Sequence, residues 1–179
     1  MTDLLHTARL TLRPFVPADG PAMFRVWAAD ERVTRYLRWT PHQSEAESCA
    51  LVDQWAAESG RPDGHQWAIV RTEDGQLMGS VGVVQGEDGL WEPGYCLGHD
   101  YWGRGYMTEA LDAVVGHMFL THGLDRLGCS HAAANPASGR VMEKIGFHYT
   151  HDTVCYKFDG TPFSCKAYIL YKKEYLKRL

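Results

Sequence analysis

Tyr101, Trp102, Gly103, Arg104, Gly105, Tyr106, Met107, Thr108, Glu109 and Ala110 run consecutively. They lead two glycines, one residue apart, into a helical pattern. Met107, Leu111, Val114 and Met118 recur at i, i+4, i+7 and i+11, with Ala110 and Phe119 widening the stripe, so a helix is expected over about 105–121. Gly123 follows as its stop, with Leu124 as the apolar follower. Upstream, Trp91–Leu97 reads as a strand. Strand, glycine turn and helix N-terminus in that order suit an anion. Glycines let backbone N–H groups approach it, and the helix adds the positive end of its dipole. The pattern is neither GxxxxGK[ST] nor GxGxxG, since Thr108 stands where a third glycine belongs. Alone, the glycine pair is a weak signal and reads more readily as loop punctuation.

Downstream, 127–132 reads as a buried strand. Asn135 is an N-cap and Pro136 sits at N1, where its missing N–H costs nothing. That helix should stop at Gly146 with Phe147 as the apolar contact. Segments 149–158 and 163–171 then pair around Asp159 and Gly160. Upstream, 9–13 alternates with period two, and helical signals follow over 17–37 with a break near Asp30. Ser44 and Glu47 form a capping-box signature for a helix to about Ser59. Segments 66–71 and 77–84 flank a turn at Glu73, Asp74 and Gly75. Pro93 predicts a bulge or an interruption in its strand. The order defines an α/β layered domain, one unit over residues 1–179.

The five cysteines are odd in number, widely spaced and without a CxxC pair, so a disulfide framework is not expected. With no HExxH, GxSxG or ligand-spaced cluster either, the expected metal is none. The longest apolar runs are far too short to span a bilayer and the first residues carry no secretory core. The expectation is a cytoplasmic chain with no membrane partner. Net charge is −4, which disfavours nucleic acid. Residues 45–95 carry a net −8, while the segments on either side each carry +2. An acidic middle beside a basic C-terminal half suits a cationic substrate and an anionic cofactor, or is simply a solvated acidic face.

Gly94, Tyr95, Cys96 and Leu97 followed by the stretch 101–110 resemble the acetyl-CoA signature of GNAT-superfamily N-acetyltransferases, most closely the RimJ/RimL branch of ribosomal-protein N-terminal acetyltransferases. Asn135, Ser138, Glu143, Lys144, Gly146 and Phe147 resemble that branch's N-x-x-S…E-K-x-G-F segment, and residues 8–15 its first strand. The resemblance implies a GNAT fold: a mixed central sheet of about seven strands, splayed between the fourth and fifth and flanked by about four helices.

It also implies site roles. The backbone of Tyr95, Cys96 and Leu97 would pair with the pantetheine arm of acetyl-CoA. The amides of Gly103, Arg104, Gly105, Tyr106, Met107 and Thr108, next to Trp102, would hold the pyrophosphate. Asp100 departs from the family, which often has Gln or Arg there; an acid cannot donate to phosphate, which leaves the backbone amides and Arg104 as a charge partner. Asn135 would reach the pantetheine amide while capping its helix. Ser138, otherwise a solvated helix-start serine, would protonate the leaving thiolate, because Met142 stands where many relatives carry a tyrosine. For the general base, Glu92 comes first and His131 second; each also reads as a structural residue. Tyr156 is a poor base. Trp27, Trp39, Trp55 and Trp67 read as core or cleft walls.

The resulting expectation is direct acetyl transfer to a primary amine in a ternary complex, by a monomer or homodimer, with a peptide or protein α-amino group as one acceptor. Small amines such as antibiotics, polyamines or amino acids, and a catalytically silent CoA-binding role, stay open.

Overall fold

A computed structural model describes residues 2–62, 64–86 and 88–179. Among the described residues eight strands form two antiparallel sheets. The first contains β1 (Leu5–His6), β2 (Leu10–Pro14), β3 (Gly64–Arg71), β4 (Leu77–Gln85) and β5 (Trp91–Leu97), paired in that order. The second contains β6 (Arg126–Ala132), β7 (His148–Tyr156) and β8 (Pro162–Tyr171), with β8 in the middle. The layered GNAT arrangement expected from the sequence is present. The count is eight because of the two-residue β1, so the splay falls between the fifth and sixth strands. Among the described residues every ladder is antiparallel and the strands fall into two sheets, which corrects the expected single mixed sheet.

The N-terminal helical region is broken into short pieces: 3₁₀, α1 (Gly20–Met23), a π turn over Phe24–Ala28, and α2 (Glu31–Thr34). The break at Asp30 is a cap, whose carboxylate accepts from the Arg32 N–H at 2.9 Å. Then come α3 (Glu45–Ala57), α4 (Tyr106–Leu120), α5 (Pro136–Ile145) and α6 (Lys172–Tyr175). Among the described residues no helix is long and apolar enough to cross a membrane.

Alternation along β3 explains the layers. Trp67 and Ile69 join a core with α4, α5 and the second sheet, including Leu111, Val114, Met118, Met142 and Leu170. Ala68 and Val70 face the other way, into a core with Met23, Trp27 and Val52 from the N-terminal helices. Trp27 and Trp67 are fully buried, and Trp39 and Trp55 pack on the second core. All four tryptophans pack into or against the two cores.

Pro93 does not interrupt its strand. The β4–β5 register runs unbroken from Gln85↔Trp91 to Gly79↔Leu97. The reason is the edge. The Gly98 N–H bonds inward to the Met78 carbonyl at 2.8 Å, so Cys96, Gly94 and Glu92 also turn their backbone groups to β4. Pro93, Tyr95 and Leu97 then turn theirs outward, where the missing proline N–H costs no ladder bond.

Candidate active site

At the root of the splay β5 and β6 still touch: the Cys129 thiol reaches the Pro93 carbonyl at 3.3 Å. Farther along, Tyr95 and Leu97 of β5 and Ser130, His131 and Ala132 of β6 line opposite sides of a cleft of about 550 Å³. The glycine turn, the start of α4 and the first turns of α5 complete it, together with Tyr36, Leu37 and Arg38.

Among the described residues, the Tyr95 N–H and C=O and the Leu97 N–H on the outward edge of β5 have no hydrogen-bond partner. The Leu97 carbonyl is taken, accepting from the Trp102 indole at 2.7 Å. Cys96 is a correction to its expected role. Its backbone belongs to β4, and its thiol sits 3.4 Å from the Ser80 hydroxyl and is pushed up to about 11 by burial, so it offers the cleft neither amide nor thiolate.

Gly103 and Gly105 have φ of +72° and +80°, and a Cβ on Gly103 would meet no protein atom within 4 Å. Gly105 caps α4, and the first bond into the helix is Glu109 N–H to the Gly105 carbonyl at 3.1 Å. The N–H groups of Tyr106, Met107 and Thr108 therefore have no intrahelical acceptor. The side chains of Tyr106 and Met107 are buried beneath.

Arg104 does not line the cleft; its side chain is exposed and its carbonyl accepts from Arg9 at 3.1 Å. The cations on the cleft wall are Arg140 and Lys144 of α5 and Arg38. The turn is braced from outside by Arg9, whose guanidinium bonds the Glu109 carboxylate at 2.7 Å and lies 4.4 Å from the Tyr106 ring centroid. The Thr7 hydroxyl donates to the same carboxylate at 2.6 Å. Burial alone would raise the Glu109 pKa; Thr7 and Arg9 together hold it below the usual value.

Asn135 caps α5, its Oδ1 accepting from the Ser138 N–H at 3.4 Å, and its side chain borders the cleft. Ser138 is not a solvated helix-start residue. Its hydroxyl lies 2.8 Å from the Tyr95 hydroxyl, which is also 3.1 Å from the Ser138 carbonyl. Burial pushes the Tyr95 phenol well above its ordinary value, so it stays protonated. Met142 is fully buried. The tyrosine hydroxyl next to Ser138 thus comes from the facing strand and not from the helix.

Glu92 lines the cleft near the root of the splay, and burial, then repulsion from Asp88, raises its carboxyl pKa, while Arg38 lowers it. His131 lies in the wall but is held. Its Nδ1 lies 2.8 Å from the Ala132 carbonyl, which assigns that nitrogen the proton, and Nε2 lies 3.4 Å from the Tyr168 hydroxyl. A Cβ on Gly139 would come within 2.7 Å of Nε2. Nε2, which faces the Tyr168 hydroxyl, is therefore covered by α5.

Arg38 is a cleft residue without a sequence signal. Its Nε donates to the Tyr156 carbonyl at 2.8 Å, and its own carbonyl accepts from the Phe158 N–H at 2.8 Å. It pins the segment after α2 to the C-terminal hairpin across the mouth of the cleft.

Residues 9–148 match the family model for the acetyltransferase (GNAT) domain. The uncharacterized N-acetyltransferase YoaA of Bacillus subtilis (strain 168) is 30% identical over 175 residues, covering 96% of this chain and 98% of that protein. A GNAT-family acetyltransferase structure from Bacillus anthracis superposes with a TM-score of 0.84 at 20% identity, covering 96% of this chain and 100% of that one. RimL, a ribosomal-protein alpha-N-acetyltransferase in complex with coenzyme A, superposes with a TM-score of 0.82 at 18% identity, covering 94% and 98%. The chain belongs to the GNAT family and is an N-acetyltransferase.

Proposed function

We propose that the cleft binds acetyl-CoA and transfers its acetyl group to a peptide or protein α-amino group, as a RimJ/RimL-like enzyme. The observation that carries the reading is the paired hydroxyls of Tyr95 and Ser138 between a free β5 edge and the glycine turn. The N–H groups of residues 106–108 would hold the pyrophosphate, with Arg140 and Lys144 adding charge. The Tyr95 and Leu97 edge groups would receive the pantetheine amides, and one N–H would stabilise the tetrahedral oxyanion. Catalysis would come mostly from positioning. The amine attacks the thioester carbonyl, and the C–S bond breaks as the intermediate collapses. Ser138 then gives its proton to the thiolate and recovers it from Tyr95 or solvent. Glu92, raised by burial, would take the proton lost by the amine.

The α-amino preference rests on proton cost. An α-amino group titrates near ~7.7–8.0 and a lysine near ~10.4, so presenting a neutral lysine costs about 3.4 kcal/mol more. A carboxylate base that is only partly desolvated suits the easier acceptor. RimL, with which the fold superposes, is itself an alpha-N-acetyltransferase seen with coenzyme A. Free-thiol release from acetyl-CoA over peptides, polyamines and aminoglycosides, with each product weighed by mass spectrometry, tests the reading. Peptides with a free N-terminus should turn over fastest; turnover confined to small amines would replace the acceptor class.

A further inference from the structure

We infer that Asp3, His117 and His122, backed by His65, form a binding site for a divalent transition-metal ion of the zinc class. The cluster lies at the C-terminal end of α4. A helix of 15 residues is about 22 Å long, so it is remote from the glycine turn at the other end. It is independent of the acetyl-transfer site.

The fold brings these residues together from three segments. His117 lies on the last turn of α4, with only 8% of its side chain exposed. The chain then reverses through Gly123 at φ +70°, and the Leu124 N–H bonds back to the Met118 carbonyl at 3.3 Å. That reversal sets the His122 ring 5.0 Å from the His117 ring, centroid to centroid. Asp3 arrives from the N-terminal segment, which is fixed because its carbonyl accepts from the Trp67 indole at 2.7 Å. Its carboxylate oxygen lies 3.2 Å from His117 Nε2. One ligand atom from each of Asp3, His117 and His122 lies within 4.8 Å of the others.

His65 is the independent observation. It is only 4% exposed, and its ring centroid is 4.5 Å from that of His122. Neither of its ring nitrogens has a hydrogen-bond partner among the described residues. Buried polar atoms are nearly always satisfied, so two orphaned nitrogens beside a cluster of imidazoles and a carboxylate point to an absent electrophile.

The donor set selects the ion. Imidazole with one carboxylate suits zinc and its neighbours, while magnesium and calcium call for oxygen donors. Bonds of ~2.0–2.1 Å to a tetrahedral ion put ligand atoms about 3.3 Å apart, close to the Asp3–His117 separation. His122 is exposed at the helix end and free to close the remaining gap. The proposal departs from the expectation of no metal. His117 and His122 stand at an H-x4-H spacing that zinc ligands use, but no cysteine pair accompanies it, and positions 3 and 65 are far away in sequence.

The test uses full-length protein with any affinity tag removed, stripped with chelator and titrated with Zn²⁺ by calorimetry while melting is followed. One equivalent should bind, the melting temperature should rise by several degrees, and Mg²⁺ should do neither. Co²⁺ should give the visible absorption of a tetrahedral site. His122→Ala changes an exposed residue and should fold normally. It should weaken Zn²⁺ by more than the ~10–100-fold that loss of an outer partner costs, and Asp3→Asn should also weaken it. Binding should fade on acidification as the imidazoles protonate. Failure to take up Zn²⁺, or equal affinity in folded His122→Ala, would overturn the site.

Discussion

The Tyr95 hydroxyl stands 2.8 Å from the Ser138 hydroxyl, linking the edge strand of one sheet to the first turn of α5 across the cleft. Two hydroxyls in one chain let Ser138 give up a proton and regain it. Ser138→Ala should lower kcat by about 10²–10⁴-fold, the span of general acid–base contributions, with little change in KM for acetyl-CoA. Tyr95→Phe should cost less. The double variant should be no slower than Ser138→Ala alone, because both act through one proton path. Steady-state kinetics on the three variants decides this; additive losses would separate the two roles.

The glycine turn gives a second expectation. Gly103→Ala places a methyl where no protein atom lies within 4 Å, so its steric effect falls on whatever approaches the turn. The left-handed φ of +72° costs the folded state about 1 kcal/mol or more. Calorimetry should show acetyl-CoA binding weakened at least tenfold, with only a modest fall in melting temperature. Undiminished affinity would move the pyrophosphate elsewhere.

Arg38 and Glu92 give a third. Arg38 is among the influences that hold the Glu92 carboxyl down against burial and Asp88. Removing that cation in Arg38→Ala should let the Glu92 pKa rise further, so the acid limb of kcat/KM should shift to higher pH. In Glu92→Gln that carboxylate limb should disappear, leaving only the rise through the α-amino pKa of the acceptor. A limb unmoved in both variants would pass the base role to another group or to water.

Glu109 gives a fourth, on stability. Its carboxyl is held low in the fold, so its contribution is present above the unfolded value of ~4.3 and is lost as pH falls through the folded value. Glu109→Gln should be less stable than the parent at neutral pH, and the gap should shrink below about pH 4. Urea midpoints at several pH values measure it; a gap that stays constant would mean that the Arg9 and Thr7 contacts do not depend on the charge.

What the sequence discloses follows what is local. Gly123, Asn135, Pro136 and Gly146 mark helix ends through caps a few residues long, and α4 and α5 lie where those signals put them. Pro93 misleads because only register decides which edge a strand residue faces, and register depends on β4. The Leu5–His6 strand is too short to show a period. Cys96 sits in the right motif, but its backbone faces the wrong edge. Arg38 with Tyr156, Tyr95 with Ser138, and His65 with His122 are contacts between distant segments, and no spacing rule covers them.

The most direct measurement is product mass from a matched peptide pair incubated with acetyl-CoA. One peptide has a free α-amine and no lysine; the other is blocked at its N-terminus and carries a lysine. A catalytic cleft of the kind described should add one acetyl group to the first and leave the second nearly unchanged, with the rate on the first rising with pH through the α-amino pKa. Acetylation of the blocked lysine peptide alone, or of neither peptide while acetyl-CoA binds, would contradict the account.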